Sequence, residues 1–153
     1  MYALFKSVYL YSLCLLVGSA FFLVALAGPA VDRALSTENA QKFLSTVYPR
    51  FFWFSYITGF LSLLSLYTIT KGSVDVPCAI LLFILLAINI INIFNGFYLA
   101  PKLWLEEVEY YRTGSKVYSD RLALVRRLSG GLSAVSLILG LMAIGITSGF
   151  LGI

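Results

Sequence analysis

Four stretches of the chain are almost unbroken in apolar residues: 7–27, 51–70, 77–100 and 132–153. Each holds roughly 20–24 residues, enough at about 1.5 Å per residue to cross a hydrocarbon core of about 30 Å. The pattern predicts an all-α fold: a polytopic membrane protein built as a four-transmembrane-helix bundle, in a single membrane domain over 1–153. Pro29, Pro49, Pro77 and Pro101 fall at or near the ends of these stretches, where proline is tolerated or stops a helix. None falls inside a span, which argues against the broken helices of many transporters.

The polar connections carry their own periodicity. In the first, Ser36-Thr37-Glu38 followed by Ala40, Phe43 and Leu44 predicts a short amphipathic helix capped by Ser36 or Thr37. It is expected to lie along the inner surface, with Pro49 turning the chain into the second span. In the third, Trp104, Val108 and Tyr111 recur at i, i+4, i+7, as do Tyr118, Leu122 and Val125. Thr113-Gly114-Ser115 separates the two stripes as a turn. The third and fourth spans are therefore expected to run past the membrane as an antiparallel helical hairpin, a cytoplasmic helical extension. Glu106, Glu107 and Glu109 on one arm complement Arg121, Arg126 and Arg127 on the other. Surface pairs of this kind contribute about 0–1 kcal/mol each, so they favour register more than stability. A solvated charged face and a partner-docking face both fit.

Composition adds to this picture where it excludes. The 153 residues are 60% hydrophobic and 12% charged. One soluble core of this size could not hide so much apolar surface. Histidine is absent, which removes the commonest general base and the commonest metal ligand together. The formal charge of +4 comes from basic residues between the apolar runs, so it bears on topology and lipid headgroups, with no nucleic acid implied. The first and third connections carry Arg33, Lys42, Arg50, Lys102, Arg112, Lys116, Arg121, Arg126 and Arg127, against Lys6 and Lys71 on the other side. The positive-inside rule then places both termini outside and both long connections in the cytoplasm, in a multi-pass protein of the cell (inner) membrane. Lys6 and Ala25-Leu26-Ala27 imitate a cleavable signal peptide, but the apolar stretch is longer than a signal core, so the first run reads as a retained helix.

Polar residues inside the spans are the candidate chemistry. Asn89, Asn92 and Asn95 repeat every third residue and cover roughly a 120° face of the third span. Lipid offers no hydrogen bonds, so this face must point at other helices or at water. Interhelical bonding and the wall of a cytoplasm-facing cavity are the two readings, with Asp32, Arg33 and Arg50 as the candidate cytoplasmic mouth. Ser55, Gly59 and Ser62 share a face of the second span, with Thr58 and Ser65 beside it. The fourth span has Ser136-x-x-x-Gly140, Gly145-x-x-x-Gly149 and Ser148-x-x-x-Gly152, spacings that let helix backbones approach closely. Cys14 and Cys78 are expected as two buried thiols, and with Met1 and Met142 they make a poor soft-ligand path for copper. No Asp, Glu, Lys or Arg falls within a span, and no nucleophile–base pair is evident. The reading is of a chain that is not an enzyme, with no cofactor and no metal site.

Three stretches carry a family likeness: AGPAVDRAL before STVYPRFFWF, INIFNGFYLAPKL closing the third span, and VRRLSGGLSAVSLILGL opening the fourth. In them the chain resembles the transmembrane-protein-205-like family, the four-helix group catalogued as domain of unknown function 4149. The resemblance implies a four-helix membrane protein with short loops and no established activity. Relatives often place a histidine near the arginine that opens the fourth span; here Arg126-Arg127 is followed by Leu128. A histidine-based metal or haem role does not carry over.

Two functions lead at this stage, and a third, a lipid-modifying enzyme, would have to work without histidine or an evident nucleophile–base pair. One is a non-enzymatic accessory or assembly component of a membrane complex, whose partners are the bilayer and either other membrane subunits or a second copy through the small-residue faces. The other is a small-solute or metal-efflux (resistance) protein whose polar cavity is lined by Asn89, Asn92 and Asn95.

Overall fold

In the computed structural model, which describes residues 2–27, 30, 37–70 and 75–151, four helices are long and apolar enough to cross a membrane. Helix α1 covers Tyr2–Phe21 and widens into a π-helical turn over Phe22–Ala27. Helix α2 covers Thr37–Thr70 and α3 covers Val76–Phe94. A second π-helical turn, Asn95–Leu99, leads without a break into α4, Ala100–Thr113, and α5 covers Lys116–Leu151. No strand occurs among the described residues.

Local chemistry sets the ends of the third span and its extension. Asp75 is extended, with φ −68° and ψ 154°, and Pro77 follows in the first helical turn, where a missing N–H costs no bond. At the far end Gly114 takes φ 62° and its N–H donates to the Tyr110 carbonyl at 2.8 Å. That left-handed cap is cheap only without a Cβ. Ser115 then starts α5, accepting from the amides of Tyr118 and Ser119 at 3.1 and 3.3 Å. The helical hairpin and its turn at 113–115 are therefore as the periodicity predicts.

One proline behaves differently from expectation. Pro49 does not separate an amphipathic helix from the second span; it lies inside α2, which runs unbroken for 34 residues. Proline removes one helical bond, and here the ring is exposed while aromatic packing bridges the turn around it. Tyr48 stacks on Phe52 at 6.2 Å, and Phe51 meets Phe52 edge-on at 5.3 Å. The cap expected at Ser36 lies outside the described residues. Pro101 does not stop the third span, and the helical rod continues from Val76 to Thr113, as the expected hairpin requires. The widened turn just before it absorbs the lost donor: the Ala100 N–H reaches back five residues to the Asn95 carbonyl. At 38 residues this rod is about 57 Å long against a hydrocarbon core of about 30 Å, so α4 extends beyond the apolar span.

The interior divides along its length. Near the Asp75 end it is apolar, with Tyr9, Leu13, Leu66, Leu81, Leu85 and Ala143 in one cluster. Toward the hairpin end the buried side chains turn polar: Ser55, Thr58, Asn92, Asn95, Ser129 and Ser133. On the outside, residues such as Ile57, Leu64, Phe83 and Ile138 are exposed, as suits helices surrounded by lipid. Cys14 belongs to that outer surface, correcting the expectation of two buried thiols; Cys78 is buried, and both are free. Cys14 misled because an apolar sequence does not say which side of a helix meets lipid.

The arms of the hairpin pack through faces that only partly match the predicted stripes. Leu122 and Val125 of α5 are buried, but Trp104, Val108 and Tyr111 of α4 point outward. In their place Glu107 is turned inward. Burial raises its carboxyl above the ordinary range, and the positive charge of Arg126 offsets part of that rise. Arg112 pairs with Glu109 at 2.8 Å within its own arm, so that carboxylate is engaged along α4 and not across to α5.

Candidate functional site

The three asparagines are all buried, Asn89 against α2, Asn95 against α5, and Asn92 between the two. Asn89 lies against α2. A Cβ on Gly59 would collide with its carboxamide, whose Cγ and Nδ2 stand 2.9 Å from that position. The bare backbone of Gly59 is what lets α2 and α3 close on each other here. Asn89 Nδ2 donates to the Leu85 carbonyl at 2.8 Å, within its own helix.

Asn95 faces α5 and is completely bonded. Its Nδ2 donates to the Ser129 carbonyl at 3.1 Å and to Ser133 Oγ at 3.0 Å. Its Oδ1 accepts from Ser129 Oγ at 2.6 Å. Both amide protons and the oxygen are thus used, as a group with no water to turn to requires. Helix α5 meets α1 elsewhere: Tyr9 and Thr147 share a hydroxyl bond of 2.7 Å, and Gly140 lets Val17 approach.

Asn92 sits between these two and is the least engaged. Its Oδ1 accepts from Ser136 Oγ at 3.5 Å, the outer limit of a hydrogen bond. Its amide nitrogen receives no acceptor from a described residue. Its main-chain carbonyl is taken by the Tyr56 hydroxyl at 3.1 Å. That donor comes from outside the helix, next to the turn where the bonding pattern widens. Tyr56 is held there by stacking on Phe97 at 5.5 Å, across Gly96, where a Cβ would strike the Tyr56 hydroxyl and lie 3.0 Å from Phe52.

The serine face of α2 completes this polar half. Ser62 donates to Ser12 Oγ of α1 at 2.8 Å, and Ser12 passes on a bond to the Tyr9 carbonyl at 3.0 Å. Thr58 Oγ1 bonds to the Phe54 carbonyl at 2.9 Å. Ser55 is fully buried, and its Oγ has no partner. Sequence spacing found this face, but it could not show which hydroxyl would be left over.

Of the predicted mouth, Asp32 and Arg33 lie outside the described residues. Arg50 is exposed on α2, and the side-chain bonds of Asn95 all run to α5. Among the described residues, no group of three or more Cys, Asp or Glu side chains could hold a metal ion. The small-residue spacings of α5 split in two. Ser136 and Gly140 are buried, whereas Gly145, Ser148 and Gly149 are exposed on the bundle's surface.

A family model described as Domain of unknown function (DUF4149) matches residues 11–104. The match takes in the polar faces of α2 and α3 and ends where the hairpin begins; it does not carry the finer transmembrane-protein-205 name. No curated protein and no solved structure matches the chain.

Proposed function

The chain belongs to the DUF4149 family, and from that premise we propose that it is a non-enzymatic accessory or assembly component of a membrane complex. The observation that carries this reading is the outward face of the hairpin. On α4, Trp104, Leu105, Val108 and Tyr111 are exposed on a helix that extends beyond the bilayer-crossing length. Large apolar side chains grouped on one face outside the lipid favour contact with another protein. Two further features support it: Asn95, Ser129 and Ser133 consume their bonding capacity on one another, and the exposed Gly145–Gly149 stretch offers a second helix a close approach. The orientation taken here keeps the hairpin in the cytoplasm, at the basic side of the cell membrane.

The test is purification in mild detergent followed by light scattering and mass spectrometry. A defined complex is expected, and Val108→Glu with Tyr111→Glu should release the chain from it while leaving its helicity intact. A lone monomer that behaves identically with and without those changes would sink the reading.

A second reading, a small-solute or metal-efflux protein, is favoured by the incompletely bonded Asn92 amide. Full transport or resistance activity after Asn92→Leu and Asn95→Leu would remove it.

A further inference from the structure

Counted from Asp75 along the third span, about 20 residues of helix cross a hydrocarbon core of about 30 Å, which puts the far boundary near Gly96 and Phe97. Counted back along α2 from Thr70, the same length ends near Phe51. The two counts agree, because Phe52 lies against Gly96, where a Cβ would stand 3.0 Å from it. The stretch from Phe97 to Lys102 rises about 8 Å beyond that boundary, so Lys102 and, on α2, Arg50 belong to the headgroup level at the basic end of the bundle.

Exposed rings mark this boundary. Trp53 meets Tyr56 edge-on at 6.1 Å, Tyr56 stacks on Phe97 at 5.5 Å, and Phe94 stacks on Tyr98 at 5.1 Å. Trp53, Phe94, Phe97 and Tyr98 all face outward, where lipid is their surrounding. Aromatic side chains at this depth are a general feature of membrane proteins. What is particular here is a cation seated on them. Lys102 Nζ lies 5.8 Å from the centroid of the Tyr98 ring, one turn back along the helix, and Phe94 braces that ring from below. Lys102 is exposed, and the nearest carboxylate along the helix, Glu106, is half-buried one turn further from the bilayer. An ammonium resting on a ring face still has donors to offer an anion. The other end of the span has no such arrangement: α3 opens on Asp75, Val76 and Pro77, a carboxylate without a cation.

We propose that Lys102, Tyr98 and Phe94 form a binding site for an anionic glycerophospholipid. The lipid phosphate meets the Lys102 ammonium, and an acyl chain runs down the exposed rings of Tyr98 and Phe94. The rings match an acyl chain and offer nothing to a free phosphate, so the occupant is a lipid. The site rests on neither functional reading, because it follows from where the boundary cuts the third span.

The experiment uses the full chain with Trp53→Phe, Trp104→Phe and Phe94→Trp, so that a single indole reports on this face. The protein is reconstituted in bilayers of phosphatidylcholine and phosphatidylglycerol, and quenching is read with bromines on the acyl chains of one lipid, then of the other. The ratio gives the preference of the site for the anionic lipid. A severalfold preference is expected, and Lys102→Gln should remove it. The same measurement with Phe83→Trp in place of Phe94→Trp reads an exposed surface nearer the Asp75 end and should show no preference. Equal quenching by the two lipids at position 94, the same preference at position 83, or a larger loss from Arg50→Gln than from Lys102→Gln would overturn the proposal. So would fluorescence at position 94 that neither lipid quenches, the result expected if a protein partner covers this face.

Discussion

At the scale of single residues, the positions that matter most are those where a small or polar side chain has a neighbour that depends on it. Gly59 exists to admit Asn89, so Gly59→Ala must push the carboxamide out of its seat. The expected loss is about 1–3 kcal/mol, read as a lower unfolding temperature in detergent. Gly18→Ala serves as the comparison, because a Cβ there meets nothing within 4 Å, and it should leave the temperature unchanged or raise it. Asn95 is the tightest polar joint in the bundle. Asn95→Leu breaks its three bonds to α5 and strands the Ser129 hydroxyl, which donates to it, while Ser133 keeps its own bond to the Ser129 carbonyl. A loss of about 1–2 kcal/mol is expected, near the upper end for interhelical bonds in membranes. Unfolding titrations of the two proteins in the same detergent would show it. A zero effect would mean that these serines find other acceptors on their own helix, as Ser133 already does with the Ser129 carbonyl.

At the scale of elements, the hairpin is the part that most departs from its sequence pattern. A heptad-like stripe of Trp104, Val108 and Tyr111 should have formed the inner face of α4, yet Glu107 lies inside and the stripe outside. Periodicity puts the three residues on one face of α4, but it does not say whether that face turns toward α5 or away from it. The buried carboxyl has a pH signature. Because its folded pKa is raised, the folded state holds a proton more firmly than the unfolded chain does. Its contribution to hairpin stability is therefore highest in acid. It falls as pH rises from the ordinary carboxylate range through the raised value, and is flat above it. Hydrogen exchange of the hairpin amides across a pH series should show faster opening over that window. Glu107→Gln should flatten this dependence and protect the hairpin at neutral pH; Glu106, Glu109, Arg112 and Arg126 supply the remaining charge nearby.

At the scale of the whole molecule, the bundle is apolar at one end and polar at the other, and its polar end continues into the basic hairpin. Charge bias along the chain and polarity in the core therefore point the same way along the axis. With the basic side in the cytoplasm, Lys116→Cys, exposed beside the turn, should react with an impermeant maleimide only after the cells are opened. Labelling of intact cells would invert the topology and, with it, the side on which any partner must be sought.

That four helices are long and apolar enough to cross a membrane was legible from sequence alone, because a bilayer admits only segments whose side chains are apolar over about 20 residues. The turn at Gly114 was legible too, since a break between two periodic arms needs a residue that tolerates positive φ. The burial of the asparagines followed from the cost of leaving an amide in lipid. What tertiary structure decided was the choice of partner and the direction of each face. Lipid-facing and core-facing residues are equally apolar, so hydropathy could not distinguish Cys14 from Cys78. Nor could it tell that Pro49 sits within a continuous helix, where Tyr48 packs on Phe52 across the turn. Above all, three asparagines equivalent in sequence became different in space. One rests on a glycine, one is closed by two serines, and one is left with an amide nitrogen unbonded, because each meets whichever helix the bundle's register sets opposite it.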